Sequence, residues 1–294
     1  MLLSILLALV AACSNATSNV IQRVTNREEK GVRTLSLKLV KDLLHRPLWF
    51  AGIAAVTFSF VLQATALRFG PLALVEPILI CELPLTFVGA AVVLHAPLGR
   101  REWGAAAVMT GGLAMLLYFL DAHGGRHGTS PLVTWFVGLA ISEGIVAAAV
   151  VAGLRSSGDK RAAFYGIGTG VQFGTTAALM KGTVGLLSSG PVTLFTSWET
   201  YAMVVGGILG MFLMQNAMQS GKIVAAQPGI TLMDPVVAIL WGILGFGEQT
   251  SSSPVFMALA VCGFVAMIAG AVLLTRSPLL GQTNRRELAR AGAS

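Results

Sequence analysis

Four ionisable side chains, Glu76, Glu82, Lys181 and Asp234, lie inside long apolar runs, and Gln227 and Thr231 add an amide and a hydroxyl to the last of these runs. Charge in hydrocarbon is costly enough that such residues point first to a path for an ion or a polar solute. Gln227, Thr231, Asp234 and Ala238 are spaced 4, 3 and 4 apart, so on a helix they share one face, and that polar or small face would line a cavity. Asp234 precedes a proline near mid-membrane, where a carboxyl group would take up and release a proton or a cation. Lys181 and Glu76 fall at matching depth near the outer ends of their spans, and opposite charges there attract, so the pair is expected to close or line an outer mouth. The plainer alternative is that all these groups hydrogen-bond one another and only hold helices together.

The elements that position them are two related stretches. Gly70, Pro77 and Pro84 recur as Gly221, Pro228 and Pro235 at a constant offset of 151, and Gly112 extends the register to Gly263. Each copy has a turn glycine and then an apolar helix with two prolines seven residues apart. A proline frees the carbonyl four residues back, and in lipid such a group survives only where protein or a water-filled cavity satisfies it. Gly70, Gly221 and the four prolines are therefore the expected hinges or helix breaks, and a duplicated pair of Pro-interrupted helices marks a transporter's binding site. In that register Leu83 is the counterpart of Asp234, with Glu82 immediately beside it.

With 55% hydrophobic and 11% charged residues, the chain has a membrane composition. Apolar stretches of membrane-crossing length fall at 2–21, 49–67, 71–95, 103–120, 131–154, 162–186, 197–217, 222–246 and 254–275. This predicts an all-α polytopic membrane protein with nine transmembrane helices. Of the 20 Lys and Arg residues, 17 fall on alternate connections, which places the N-terminus outside and the C-terminus in the cytoplasm. The net charge of +7 is thus a matter of topology and does not argue for nucleic-acid binding. At 1.5 Å per residue, Glu82, Glu143 and Asp234 all come to within about 16 to 18 Å of a span end, close to the midplane.

An offset of five spans turns the second copy upside down, so an inverted repeat follows from parity. Spans two to four recur as seven to nine, and ACSNATSNVIQR in span one resembles VQFGTTAALMKG in span six, setting Asn15 on Gly174 and Gln22 on Lys181. Span five has no partner in the first half, giving a 4+5 arrangement. The halves are 1–120 and 121–276, the inverted copy being 162–276, with an interfacial helix at 34–46 and a disordered cytoplasmic tail at 277–294. Gly166, Gly170, Gly174, Ala178 and Gly182 recur every four residues along span six, as do Gly206 and Gly210 in span seven, which lets helix backbones approach closely. Cys13, Cys81 and Cys262 read as reduced packing residues, and His45, His95, His123 and His127 lack metal-ligand spacing. Without a nucleophile elbow, a phosphate loop or paired catalytic carboxylates, an enzyme is not the expectation, and no cofactor is.

The run LRFGPLALVEPILICELPLTFV at 67–88, its echo at 218–239, SNATSNVIQR at 14–23 and FGTTAALMKG at 173–182 resemble the drug/metabolite transporter superfamily, within it the nine-span EamA/NIPA-like branch. The resemblance implies a secondary transporter in a bacterial-type plasma membrane that moves a small polar or cationic metabolite by alternating access. A divalent-cation transporter of the magnesium type is the alternative within transport. A non-transporting scaffold or a lipid-carrier flippase is the alternative outside it. The expected partners are the solute and the bilayer, with the protein a monomer or homodimer. Relatives usually carry a small or apolar residue where this chain has Glu82.

Overall fold

The computed structural model describes residues 1–27, 47–93, 99–125, 130–221 and 223–275. The expected interfacial helix at 34–46 and the tail at 277–294 lie outside them. Span one is Leu2–Arg27, span two Pro47–Phe69, span three the pair Leu72–Leu79 and Glu82–Val93, and span four Arg100–Leu120. Span five is Leu132–Leu154, span six Gly158–Gly185, span seven Trp198–Ser220, span eight Ile223–Leu240 and span nine Pro254–Thr275. A short helix, Pro191–Thr196, leads into span seven, and β1 (His123–Gly124) pairs antiparallel with β2 (Glu248–Gln249).

Eight of these spans are long and apolar enough to cross a bilayer. Span six is the exception because of where it sits. From Tyr165 to Gly185 nearly every residue is buried, so its neighbours are other helices and its surface need not match lipid. The chain is an all-α polytopic membrane protein.

Glycine sets the helix spacing. A Cβ on Gly166 would strike the Ala226 carbonyl, one on Gly170 the carbonyls of Gly229 and Ile230, and one on Gly174 that of Asp234. Spans six and eight therefore run in parallel with their backbones in contact. Gly182 turns instead to the ring of Trp135 in span five, while Gly206 and Gly210 meet Gln172, Phe173 and Thr176 of span six.

The two copies place equivalent residues in equivalent settings. Gly70 packs on Ser4 at the start of span one, and Gly221 packs on Gly158 and Asp159 at the start of span six. The partners Gly112 and Gly263 meet each other: a Cβ on Gly112 would lie 2.7 Å from the Gly263 carbonyl oxygen, and one on Gly263 2.8 Å from that of Gly112. A reciprocal contact between equivalent residues is what a two-fold axis running between them requires. Gly270 lies against Met109, and Gly263 against Leu116. Numbering thus rises along span four as it falls along span nine, and the two helices are antiparallel, as the inverted repeat demands.

Each glycine of this axial pair faces backbone, which cannot yield to a side chain. Gly112→Leu and Gly263→Leu should therefore each lower stability by about 1–3 kcal/mol, the usual cost of overpacking. Thermal unfolding in detergent should show similar losses for the two variants, and parental melting for either would contradict the axial contact.

Candidate substrate pathway

Span three is broken where its two prolines act together. Pro84 cannot donate to the Ile80 carbonyl, which instead accepts the Leu83 amide at 3.0 Å, while the Ile80 and Cys81 amides reach back three residues to Pro77 and Ile78. Helical bonding resumes with Leu85 donating to Cys81. Span eight differs from its counterpart. Its helix runs unbroken through Pro228 and Pro235, and the irregularity appears later, in a π turn at Trp241–Gly245 where the Phe246 amide donates to the Trp241 carbonyl at 2.9 Å. A break at both proline pairs was the expectation; the structure breaks the first alone.

Carboxyl groups gather at the broken span. Buried Glu76, in the first half-helix, accepts a hydrogen bond of 2.9 Å from Gln63 Nε2 of span two. Glu82 opens the second half-helix and is hydrogen-bonded by the Asn15 side chain of span one. Asp234, from span eight, is close enough to interact electrostatically with both glutamates. Its Oδ1 is shielded and has no hydrogen-bond partner among the described residues. The three carboxyl groups, two from span three and one from span eight, thus lie within electrostatic range of one another. Among the described residues no group of three His, Cys, Asp or Glu side chains is tight enough to form a ready coordination shell.

Gln227 and Thr231 lie nearer the other end of span eight. Their side chains are 3.5 Å apart, and with Pro228 they line a narrow cleft against Ile268, Ala271 and Val272 of span nine. Glu143, in span five, accepts a hydrogen bond of 3.2 Å from Gln172 Nε2, which places it behind span six and away from the three carboxyl groups.

Lys181 has a different partner from the one expected. Its ammonium meets the Glu248 carboxylate at 2.5 Å and the Gly70 carbonyl at 3.1 Å, with the Phe246 ring centroid 5.2 Å away. Glu248 comes from β2, and its side chain is fully buried. It also accepts the Leu72 amide at 2.6 Å and the Ala73 amide at 2.9 Å. Pro71 stands at the N-cap of span three and has no side-chain acceptor, so the first free amides of that helix are satisfied from 175 and 176 residues away. Sequence reasoning missed Glu248, although an uncapped, proline-led helix start was the signal that a distant acceptor had to exist.

The same end of the bundle, the one the basic residues assign to the outside, is closed further. Arg68 donates to the Val184 carbonyl at 3.0 Å, and the Ser251 amide to that of Leu120. Trp135 packs beneath, its ring 4.9 Å from Trp241, 5.6 Å from Trp198 and 5.9 Å from Phe246.

Long apolar helices and an inverted pair of proline-bearing spans, with buried carboxyl groups among them, define a multi-pass membrane protein. The chain belongs to the same family as an uncharacterized protein of Corynebacterium glutamicum, to which it is 30% identical over 256 residues, 84% of this chain and 86% of that one. It is also similar to a probable magnesium transporter, NIPA9, of Arabidopsis thaliana, at 22% identity over 94% of this chain and 83% of the plant protein. No family model matches the chain. No solved structure matches it either.

Removing one member of a buried ion pair strands the other. Lys181→Met should cost about 3–5 kcal/mol, whereas Lys181→Met with Glu248→Gln should cost less than the sum of the single changes. Unfolding of the four proteins of this double-mutant cycle in detergent measures the coupling; additive losses would show that the two groups do not depend on each other.

Proposed function

We propose that the protein is a secondary transporter that carries a small polar or cationic solute by alternating access between its inverted halves. The observation that supports this most is the meeting of Glu76, Glu82 and Asp234 at the break in span three, with both halves contributing. Two of these carboxyl groups are held by neutral donors, Gln63 and Asn15, and Asp234 keeps an oxygen without a partner. A solute bearing positive charge or N–H donors would complete that set. Small rotations of the halves about the axis between Gly112 and Gly263 would then turn the site from one face of the membrane to the other.

A second reading, transport of a divalent cation, has a specific observation in its favour. The chain is similar along most of its length to a protein named as a probable magnesium transporter. Carboxylate oxygens are the ligands that hard cations prefer, and a partly hydrated ion needs few of them.

Flux into proteoliposomes separates the two: Mg²⁺ followed with an entrapped indicator, and a panel of labelled organic cations, each with and without a pH gradient. Under either reading Asp234→Asn should slow flux at least about tenfold, equivalent to about 1.4 kcal/mol in the limiting step. Glu82→Gln should slow it less, because Asn15 can still pair with the amide. Parental flux in Asp234→Asn would overturn the assignment of the site.

A further inference from the structure

From the outer closure we infer that Glu248 is a latch: seated, it holds the outer end shut, and its release opens that end. Alternating access enters this inference only in calling the closure a gate. One carboxylate accepts from three donors on two different helices, the Leu72 and Ala73 amides of span three and the Lys181 ammonium of span six. These helices belong to opposite halves, so losing this one group removes ties to both at once.

The seat is shaped for the carboxylate. Gly242 leaves the space that Glu248 occupies, since a Cβ there would collide with Oε2. Phe246, fully buried, covers the ammonium. Between the regular part of span eight and the latch lies the π turn Trp241–Gly245, whose closing bond spans five residues instead of four. Returning that turn to α-helical bonding would shift the residues after it by about one helical position, roughly 100° of rotation, and carry Glu248 off its donors without melting the helix.

The repeat register does not duplicate Glu248 and Lys181. Across the 151-residue offset Glu248 corresponds to Pro97, and the alignment of span one with span six sets Gln22 opposite Lys181. Neither is charged. An acid–base latch at the outer end biases the protein toward the state in which that end is closed.

Accessibility of a single thiol tests this. Thr86 lies one turn beyond Glu82 on the same helix face, is buried, and has a hydroxyl with no partner among the described residues, so Thr86→Cys is a mild reporter at mid-membrane. In a background with Cys13, Cys81 and Cys262 changed to Ser, a membrane-impermeant maleimide added to whole cells should scarcely label Cys at 86. Glu248→Gln, and the double change Lys181→Met with Glu248→Gln, should raise the labelling rate at least tenfold; Gly242→Ala, which expels the carboxylate by bulk, should do the same. The double variant leaves no stranded charge, and its melting in detergent certifies that it is folded. Unchanged labelling in that folded variant would overturn the latch. Faster labelling without measurable flux of any solute would leave the latch standing and remove the transport reading instead.

Discussion

The start of span three presents amides that its own proline cap cannot satisfy, and the remedy, the Glu248 carboxylate, comes from the opposite half of the chain. With Leu72 and Ala73 buried among helices, water is not there to supply it. A carboxylate taken out of water needs compensation in turn, which Lys181 provides, and an ammonium buried in span six needs an anion as much as Glu248 needs a cation. Each group makes the others tolerable. The outer end is held by this mutual dependence, with Arg68 and the tryptophan cluster filling in around it.

The two repeats share proline spacing and differ in what lies alongside. Span eight is pressed along its length by the glycines of span six, which touch the carbonyls of Ala226, Gly229, Ile230 and Asp234, and it stays helical through both prolines. At the corresponding place span one offers Asn15, a side chain where span six has Gly174, and it donates to Glu82 at the start of the second half-helix. A close glycine contact steadies one helix; a polar side chain accommodates a break in the other. That asymmetry sets Glu82 within electrostatic reach of Asp234 and Glu76.

Much of this was legible in the sequence because it rests on periodicities. The 151-residue offset paired the glycines that meet between spans four and nine, and the four-residue glycine spacing marked a face of span six that packs closely, on span eight as far as Gly174. What was not legible depends on long-range pairing. Glu76 was matched to Lys181 by depth and opposite charge, yet neither says anything of rotation about the helix axis, and Lys181 points to Glu248 while Glu76 points to Gln63. Span six, expected as one of nine membrane spans, is a long helix that falls outside the eight apolar enough to cross a bilayer among the described residues, and burial within the bundle removes the need for a lipid-facing surface.

The central claim is that a single buried carboxylate keeps the outer start of span three, which span two leads into, against the outer end of span six and lets them part. Phe69 and Leu187 are exposed residues at those ends, flanking the Arg68–Val184 contact, and accept spin labels without entering the core. Pulsed electron-spin distance measurement between labels at these two positions is the most direct test. The account predicts one short-distance population in the otherwise unaltered protein and a second, longer one in Glu248→Gln. A single, unshifted population in a folded Glu248→Gln protein would contradict it.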